Sequence, residues 1–135
     1  MRTRDLRGNL IVWKPSGQIV RASDNRPRSK LHAEARKIIY ELFPTMQILE
    51  EVPIKPRGTT QYIDFYINQI KLAIEVHGQQ HYKFNTMFHA SAQDFLNQRK
   101  KDSDKKEWCE INNITYIELP YNKKVEEWIE IIQSR

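Results

Sequence analysis

One cysteine, Cys109, is all the chain has in its 135 residues. A single thiol excludes an internal disulfide and a four-cysteine zinc site. No run of about 18 apolar residues occurs, which argues against a membrane-spanning helix. The arginine-rich N-terminus lacks the apolar stretch of a signal peptide. Internal repeats and low-complexity tracts are absent too. What remains is the expectation of one soluble, cytoplasmic domain with a modest core and no membrane contact.

Charge is present, and it is unevenly spread. The formal net charge is +5. Residues 1–28 carry Arg2, Arg4, Arg7, Lys14, Arg21, Arg26 and Arg28 against Asp5 and Asp24, which accounts for the whole excess. A basic block beside a neutral remainder points to a polyanion such as DNA. A solvated, mobile arm explains the composition equally well.

Two short β-branched runs in residues 9–22 flank Lys14-Pro15-Ser16-Gly17 and predict a β-hairpin. Residues 23–28 read as a polar linker. From Ser29, a plausible N-cap, Leu31, Ala35, Ile38, Ile39 and Leu42 recur on one helical face until Pro44. Residues 47–52, 61–67 and 70–76 read as strands. A long helix follows over about 90–112, then a strand over 114–119 and a helix over 123–134. The expected organisation is a basic N-terminal hairpin extension, 1–28, and an α/β domain, 29–135, ordered α-β-β-β-α-β-α with helices flanking a four-stranded sheet.

Only Asn68 and Gln69 separate Ile67 from Ile70, the loop length of a tight hairpin. Ile67 then pairs with Ile70, and Asp64 lies opposite Ala73. Period-two alternation puts Ile63, Phe65, Ile67, Leu72 and Ile74 on one face. Asp64, Glu75 and His77 share the other, with Asp64 and Glu75 as diagonal neighbours. Glu34, between Leu31 and Ile38, is expected to lean toward the core. Phe95, Asp102 and Cys109 recur every seven residues, so Asp102 faces inward, with Arg99 and Lys106 on that side.

Converging carboxylates repel one another, and a hard divalent cation removes the repulsion through oxygen ligands. Asp64 and Glu75 are the candidate metal ligands. Magnesium held there stabilises charge on a scissile phosphodiester. A neutral imidazole, from His81 or His77, is suited to accept a proton from water. Cys109, Trp108 and Trp128 read as packing residues. Trp13 reads as either a base-stacking or a packing residue, and His32 and His89 show no clear partners.

The element order, with Asp64 on the second strand and Glu75 on the third, resembles the core of the PD-(D/E)XK nucleases, a restriction-endonuclease-like fold with a mixed sheet. His77 stands where that superfamily has its lysine. The segment "IDFYINQIKLAIEVHGQQHY" is similar to the centre of very-short-patch-repair-like endonucleases and the phage homing endonucleases described by an EDxHD motif. The resemblance implies Glu34 as the first acid, Asp64 as the second, His81 as the histidine and Asp102 as the last acid. It covers about Leu31 to Pro120. A chain with one cysteine does not fit the structural zinc of the repair branch, which favours the homing type. The resemblance thus implies a DNA endonuclease of phage type in a bacterial host cell. Its cofactor would be Mg2+, with Mn2+ substituting and no organic cofactor. Double-stranded DNA would be its partner, with a homodimer on DNA as one way to cut both strands. Arg99 joins the N-terminal basic residues as an expected DNA contact. Alternatives on the same fold are a junction resolvase, a mismatch nickase, a transposase-type nuclease subunit or a non-catalytic DNA-binding module.

Overall fold

The computed structural model describes residues 1–86 and 89–135, the side chain of Gln80 excepted. In chain order the elements are β1 (Arg2–Arg4), β2 (Leu10–Val12), β3 (Gln18–Ile19), α1 (Lys30–Leu42), β4 (Leu49–Ile54), β5 (Gln61–Ile67), β6 (Leu72–His77), α2 (Ala92–Ile111), β7 (Thr115–Pro120) and α3 (Val125–Gln133). Ser29 Oγ accepts the His32 N–H at 3.2 Å and caps α1. Helix α1 stops at Phe43, one residue before Pro44, as proline's geometry requires.

Among the described residues the main sheet has five strands, β3-β4-β5-β6-β7, where the pattern predicts four. Its pairings are antiparallel except β6 with β7, which are parallel and joined through α2. Helices α1 and α3 bring Ala35, Ile38, Ile39, Trp128 and Ile132 onto Phe65, Ile67, Leu72 and Ile74. Helix α2 brings Trp108 and Cys109 onto Tyr66 and Ala73. Strand β6 is covered on both sides, and all six of its residues are buried.

Three sequence expectations change. The first concerns the hairpin over residues 9–22. Strand β2 pairs backwards with β1, Arg2 opposite Val12, while β3 joins the main sheet with Gln18 opposite Glu50. Gly17 makes that approach feasible: a Cβ there would lie 2.5 Å from the Glu50 carbonyl oxygen. The N-terminal segment is also anchored by Trp13, whose Nε1 donates to the Pro53 carbonyl at 3.1 Å. The Trp13 ring sits edge-on to Tyr66 and Trp108, so it is a packing residue.

The second correction is the β5–β6 register. The connection runs through a 3-10 turn, Asn68–Ile70, closed by Lys71 in a left-handed conformation at φ 51°. Ile67 therefore pairs with Leu72, and Tyr66 with Ala73. The loop is two residues longer than expected but still even, so β6 keeps its face assignment. Glu75 moves from diagonal to directly opposite Asp64 when this register is continued.

The third correction lies beside it. Glu51 adopts φ 58° within β4. The β4–β5 ladder pairs Glu50 with Phe65 and Val52 with Ile63, omitting Glu51 and Asp64 between them. The strands exchange faces at this point. Ile63 consequently packs under α2 with Val52 and Ile54, not with Phe65. Asp64 sits at the break in the ladder, opposite Glu51 and with the register unchanged on either side.

Candidate functional site

The break in β5 and the C-terminal half of β6 set two carboxyl groups against each other. The Asp64 N–H donates to Glu75 Oε2 at 3.1 Å, and the Val76 N–H donates to Asp64 Oδ2 at 2.8 Å. Burial, and then the charge of Glu75, push the Asp64 carboxyl up to about 8. Lys105 reaches across from α2 and donates to Glu75 Oε1 at 2.8 Å. Burial alone would lower the Lys105 ammonium, but the nearby charge of Glu75 raises it.

Two histidines stand beside this pair. His81 Nδ1 donates to Asp102 Oδ2 at 2.7 Å. His77 Nδ1 donates to Glu118 Oε2 at 2.5 Å, and this bond holds the Glu118 carboxyl below its ordinary value. The two rings stack at 4.1 Å with an interplanar angle of 4°. The buried His89 takes the Asn85 N–H on Nδ1 and donates from Nε2 to Gln98 Oε1 at 3.0 Å. That orients the Gln98 amide nitrogen toward the His81 ring, at 3.4 Å from Nε2.

Asp64, His81 and Lys105 line two adjoining clefts. One, of about 630 Å³, lies between β5 and α2 and also exposes Tyr62, Asn97, Lys101 and Asp102. The other, of about 460 Å³, adds His32, Glu75, Gln79 and Tyr121. Five of the expected catalytic residues are thus near neighbours: Asp64, Glu75, His77, His81 and Asp102.

Glu34 is not among them. It is exposed on α1. The inward stripe of that helix extends to the other side, where His32 and Arg36 are buried. At about 100° per residue, Glu34 falls off the edge opposite to these two. Arg99 and Lys106 are likewise exposed, and Arg99 lies over the Phe95 ring at 5.8 Å. The inner positions between Phe95, Asp102 and Cys109 are Gln98 and Lys105, at i+3 and not i+4.

The linker over 23–28 is pinned to the globule. Arg26 pairs with Asp24 and Glu50, and Arg28 pairs with Glu51. Glu50 is fully buried; His32 Nε2 donates to it at 2.7 Å and Arg36 NH2 at 3.1 Å. Burial would raise the Glu50 carboxyl, but His32 and Arg36 hold it below its ordinary value. Arg2, Arg4, Arg7, Lys14 and Arg21 are exposed. The Arg4 N–H bonds Asn112 at the end of α2, and Met1 lies beside Lys71 at the start of β6, the end away from His77.

Sequence reasoning missed Lys105, Glu118, Glu50 and the partners of His32 and His89. Glu118 was within reach of it. Ile117 and Leu119 alternate with Tyr116 and Glu118, and the parallel register sets Glu118 beside Glu75. The Glu50 network carries no local signal, because its members come together only through tertiary packing of α1 on β4.

No family model matches the chain, and no solved structure matches it. Parts of it are similar to viral proteins. It is 45% identical over 62 residues to uncharacterized protein 307L of Invertebrate iridescent virus 6, covering 46% of this chain and 32% of that protein. It is 36% identical over 70 residues to uncharacterized protein 033L of Invertebrate iridescent virus 3, covering 52% and 36% respectively. It is 37% identical over 68 residues to uncharacterized protein 094L of Frog virus 3 (isolate Goorha), covering 50% and 44%. The chain thus spans less than half the length of each of these viral relatives.

Proposed function

We propose that the chain is a metal-dependent endonuclease that hydrolyses phosphodiester bonds of double-stranded DNA, on a PD-(D/E)XK-like arrangement of its sheet and helices. The observation that carries this reading is the Asp64–Glu75 carboxyl pair sharing a cleft with His81, whose Nδ1 bonds Asp102 in the adjoining cleft. The carboxyl pair fits a hard divalent cation. Asp64 retains a proton to about pH 8 because a second carboxylate and burial oppose its ionisation, and a cation bound by oxygens relieves both.

Asp64 and Glu75 would hold Mg2+ or Mn2+. When bound, such an ion neutralises charge on the phosphate oxygens and acidifies water. The chain's own residues supply the rest. Asp102 fixes the tautomer of His81 and leaves its Nε2 lone pair to take a proton from water. Glu118 fixes His77 in the same way, beneath the His81 ring. Lys105 holds Glu75 in place through its 2.8 Å bond and adds a positive charge facing the cleft. Arg2, Arg4, Arg7, Lys14, Arg21 and Arg99 are free to meet phosphates, while Arg26 and Arg28 are already neutralised by acids.

Glu34 lies outside the cleft, so the EDxHD match extends to Asp64, His81 and Asp102 only. The geometry therefore serves a junction resolvase, a mismatch nickase or a transposase-type subunit as well as a homing enzyme. The relatives belong to viruses named for animal hosts, which supports a viral enzyme without restricting it to phage. The test is supercoiled plasmid incubated with Mg2+, with chelator, and with the Asp64→Asn variant. Nicked or linear product in Mg2+ alone is expected. Equal cleavage in chelator sinks the proposal.

A further inference from the structure

Beyond that reading, and independently of it, we propose that His77, His81 and Asp102 form a second metal site, for a borderline divalent transition ion such as Zn2+. Each residue offers one ligand atom, and the three atoms lie within 4.8 Å of one another. Donors bound at about 2.1 Å to a common ion lie no more than about 4.2 Å apart. The donors already lie close to ligand spacing, and closing the site is a matter of reorienting a side chain.

His77 supplies the second, independent observation. It is only 2% exposed. Its Nδ1 is engaged by Glu118, and its Nε2 is buried with no hydrogen-bond partner. An unpaired buried nitrogen is costly, and native structures seldom leave one without a role. A carboxylate on one ring nitrogen with the lone pair left on the other is the arrangement that orients metal-binding histidines.

The stacked rings identify which part must move. Imidazole lone pairs lie in the ring plane, so two parallel rings do not share an ion until one turns. His77 is held in β6 by Glu118. His81 follows a single 3-10 turn, Gln79–His81, and is partly exposed. Turning His81 out of the stack opens its bond to Asp102 and frees that carboxylate as the third ligand. Three protein ligands leave one position open, as in catalytic zinc sites. Ligand chemistry separates this site from the carboxyl pair: imidazoles favour Zn2+, Ni2+ or Co2+, whereas Mg2+ prefers oxygen. A transition ion here takes the His81 lone pair. Zinc therefore stops cleavage wherever the endonuclease reading holds, and only this consequence rests on that reading.

The experiment is calorimetric titration of the full chain with Zn2+ in a non-coordinating buffer, with Co2+ absorption as the spectroscopic readout. The wild type is expected to bind one ion. His81→Gln and Asp102→Asn should each weaken binding by more than about tenfold, and Glu118→Gln by about 10- to 100-fold. Asp64→Asn should bind as the wild type does. His81 and Asp102 are only partly buried, so their variants, checked for fold by circular dichroism, keep the test valid if His77→Gln does not fold. Absence of zinc binding by the wild type overturns the site. So does binding that survives both His81→Gln and Asp102→Asn, or binding lost only in Asp64→Asn. A chain that binds zinc through His81 but never cleaves DNA would remove the endonuclease reading and leave this one standing.

Discussion

Asp64 and Glu75 are joined through the backbone as well as by proximity: the Asp64 N–H is held by the Glu75 carboxylate at 3.1 Å. This bond fixes Glu75 against the break in β5, and the two carboxyls cannot separate without disturbing the strand. Their repulsion is built into the fold.

Stability of the metal-free chain should therefore fall as pH rises. Burial and Glu75 lift Asp64 from its ordinary 3.8 to about 8. Between about pH 4 and 8 the folded chain holds a proton that the unfolded chain has lost, so stability declines through that window and levels off above it. Each unit of pH is worth about 1.4 kcal/mol at most, and exposure of Asp64 to the cleft reduces the total to a few kcal/mol. Glu50 and Glu118, held below their ordinary 4.5, act in the opposite sense, and only below that pH. Mg2+ bound by the pair should raise the unfolding midpoint, more at pH 8 than at pH 5. Asp64→Asn should flatten the pH dependence and remove the Mg2+ effect. Thermal unfolding between pH 5 and 8.5, with and without Mg2+, measures both. A wild-type midpoint insensitive to pH and Mg2+ would contradict the account.

The two histidines should separate kinetically. His81 carries the Asp102 partner and reaches both clefts, whereas the His77 ring is buried beneath it against Glu118. Under the endonuclease reading, His81→Ala should lower the cleavage rate by roughly 10²–10⁴, as for loss of a general base. Asp102→Asn should lower it less and shift the pH profile, because it releases the imidazole tautomer and leaves the ring in place. Single-turnover rates across pH on a nicked or linear product measure the order. If His77→Ala alone produces the large loss, the proton-transfer role belongs to His77.

Much of this geometry was legible in the chain, for reasons that differ by element. Helices α1 and α3 and strands β5, β6 and β7 follow from hydrophobic periods of 3.6 and 2, which depend on local spacing alone, whereas α2 is largely polar and buries only Asp104, Trp108 and Cys109. Asp64, Glu75 and His77 came together because an even-length loop preserves faces, whatever its length, whereas Asp102 followed from its spacing to Phe95 and Cys109 and His81 from the family resemblance. Glu34 failed because a helical stripe has two edges, and the buried edge here is polar: His32 and Arg36 are drawn inward by Glu50, from a strand that local patterning does not connect to α1. Lys105 was missed because i+3 and i+4 both lie near an inward acid, and only packing of α2 chooses between them. Strand β3, two residues long, has no period to detect.

The N-terminal segment separates stability from DNA affinity by residue. Trp13 links Pro53, Tyr66 and Trp108, so Trp13→Ala should destabilise the chain by about 3 kcal/mol, as for removal of a packed aromatic ring. Deleting residues 1–28 would remove that ring, β1 to β3 and two partners of the buried acids together, so loss of fold is the expected result. Arg2, Arg4 and Arg7 are exposed, and replacing them with Gln should leave the free energy of unfolding within about 0.5 kcal/mol of the wild type. If they meet phosphates, each replacement should flatten the salt slope of log K by about 0.9. Fluorescence anisotropy on a DNA duplex at several salt concentrations, paired with denaturation curves, measures both. A triple variant with an unchanged salt slope assigns the basic segment to solvation.

Cleavage, under the same reading, should begin with a nick. One chain holds one Asp64–Glu75 pair beside one His81–Asp102 pair, and such a set hydrolyses a single phosphodiester at a time. Cutting the second strand needs a second set, which a symmetric pair of chains supplies, or a chain that rebinds in the opposite orientation. Among the described residues the exposed large apolar side chains are divided between several elements: Leu10, Ile11 and Val12 on β2, Ile19 on β3, Tyr62 on β5, Leu96 and Ile111 on α2, and Met1, Tyr82 and Phe84 outside them. A monomer or weak dimer in free solution that pairs on DNA follows. Light scattering with and without duplex should show added mass of a second chain only with DNA. A plasmid time course should show nicked circles rising before linear product, with the linear fraction growing more steeply with protein concentration than the nicked fraction. Linear product without a nicked intermediate, from a chain that stays monomeric on DNA, would contradict this scheme.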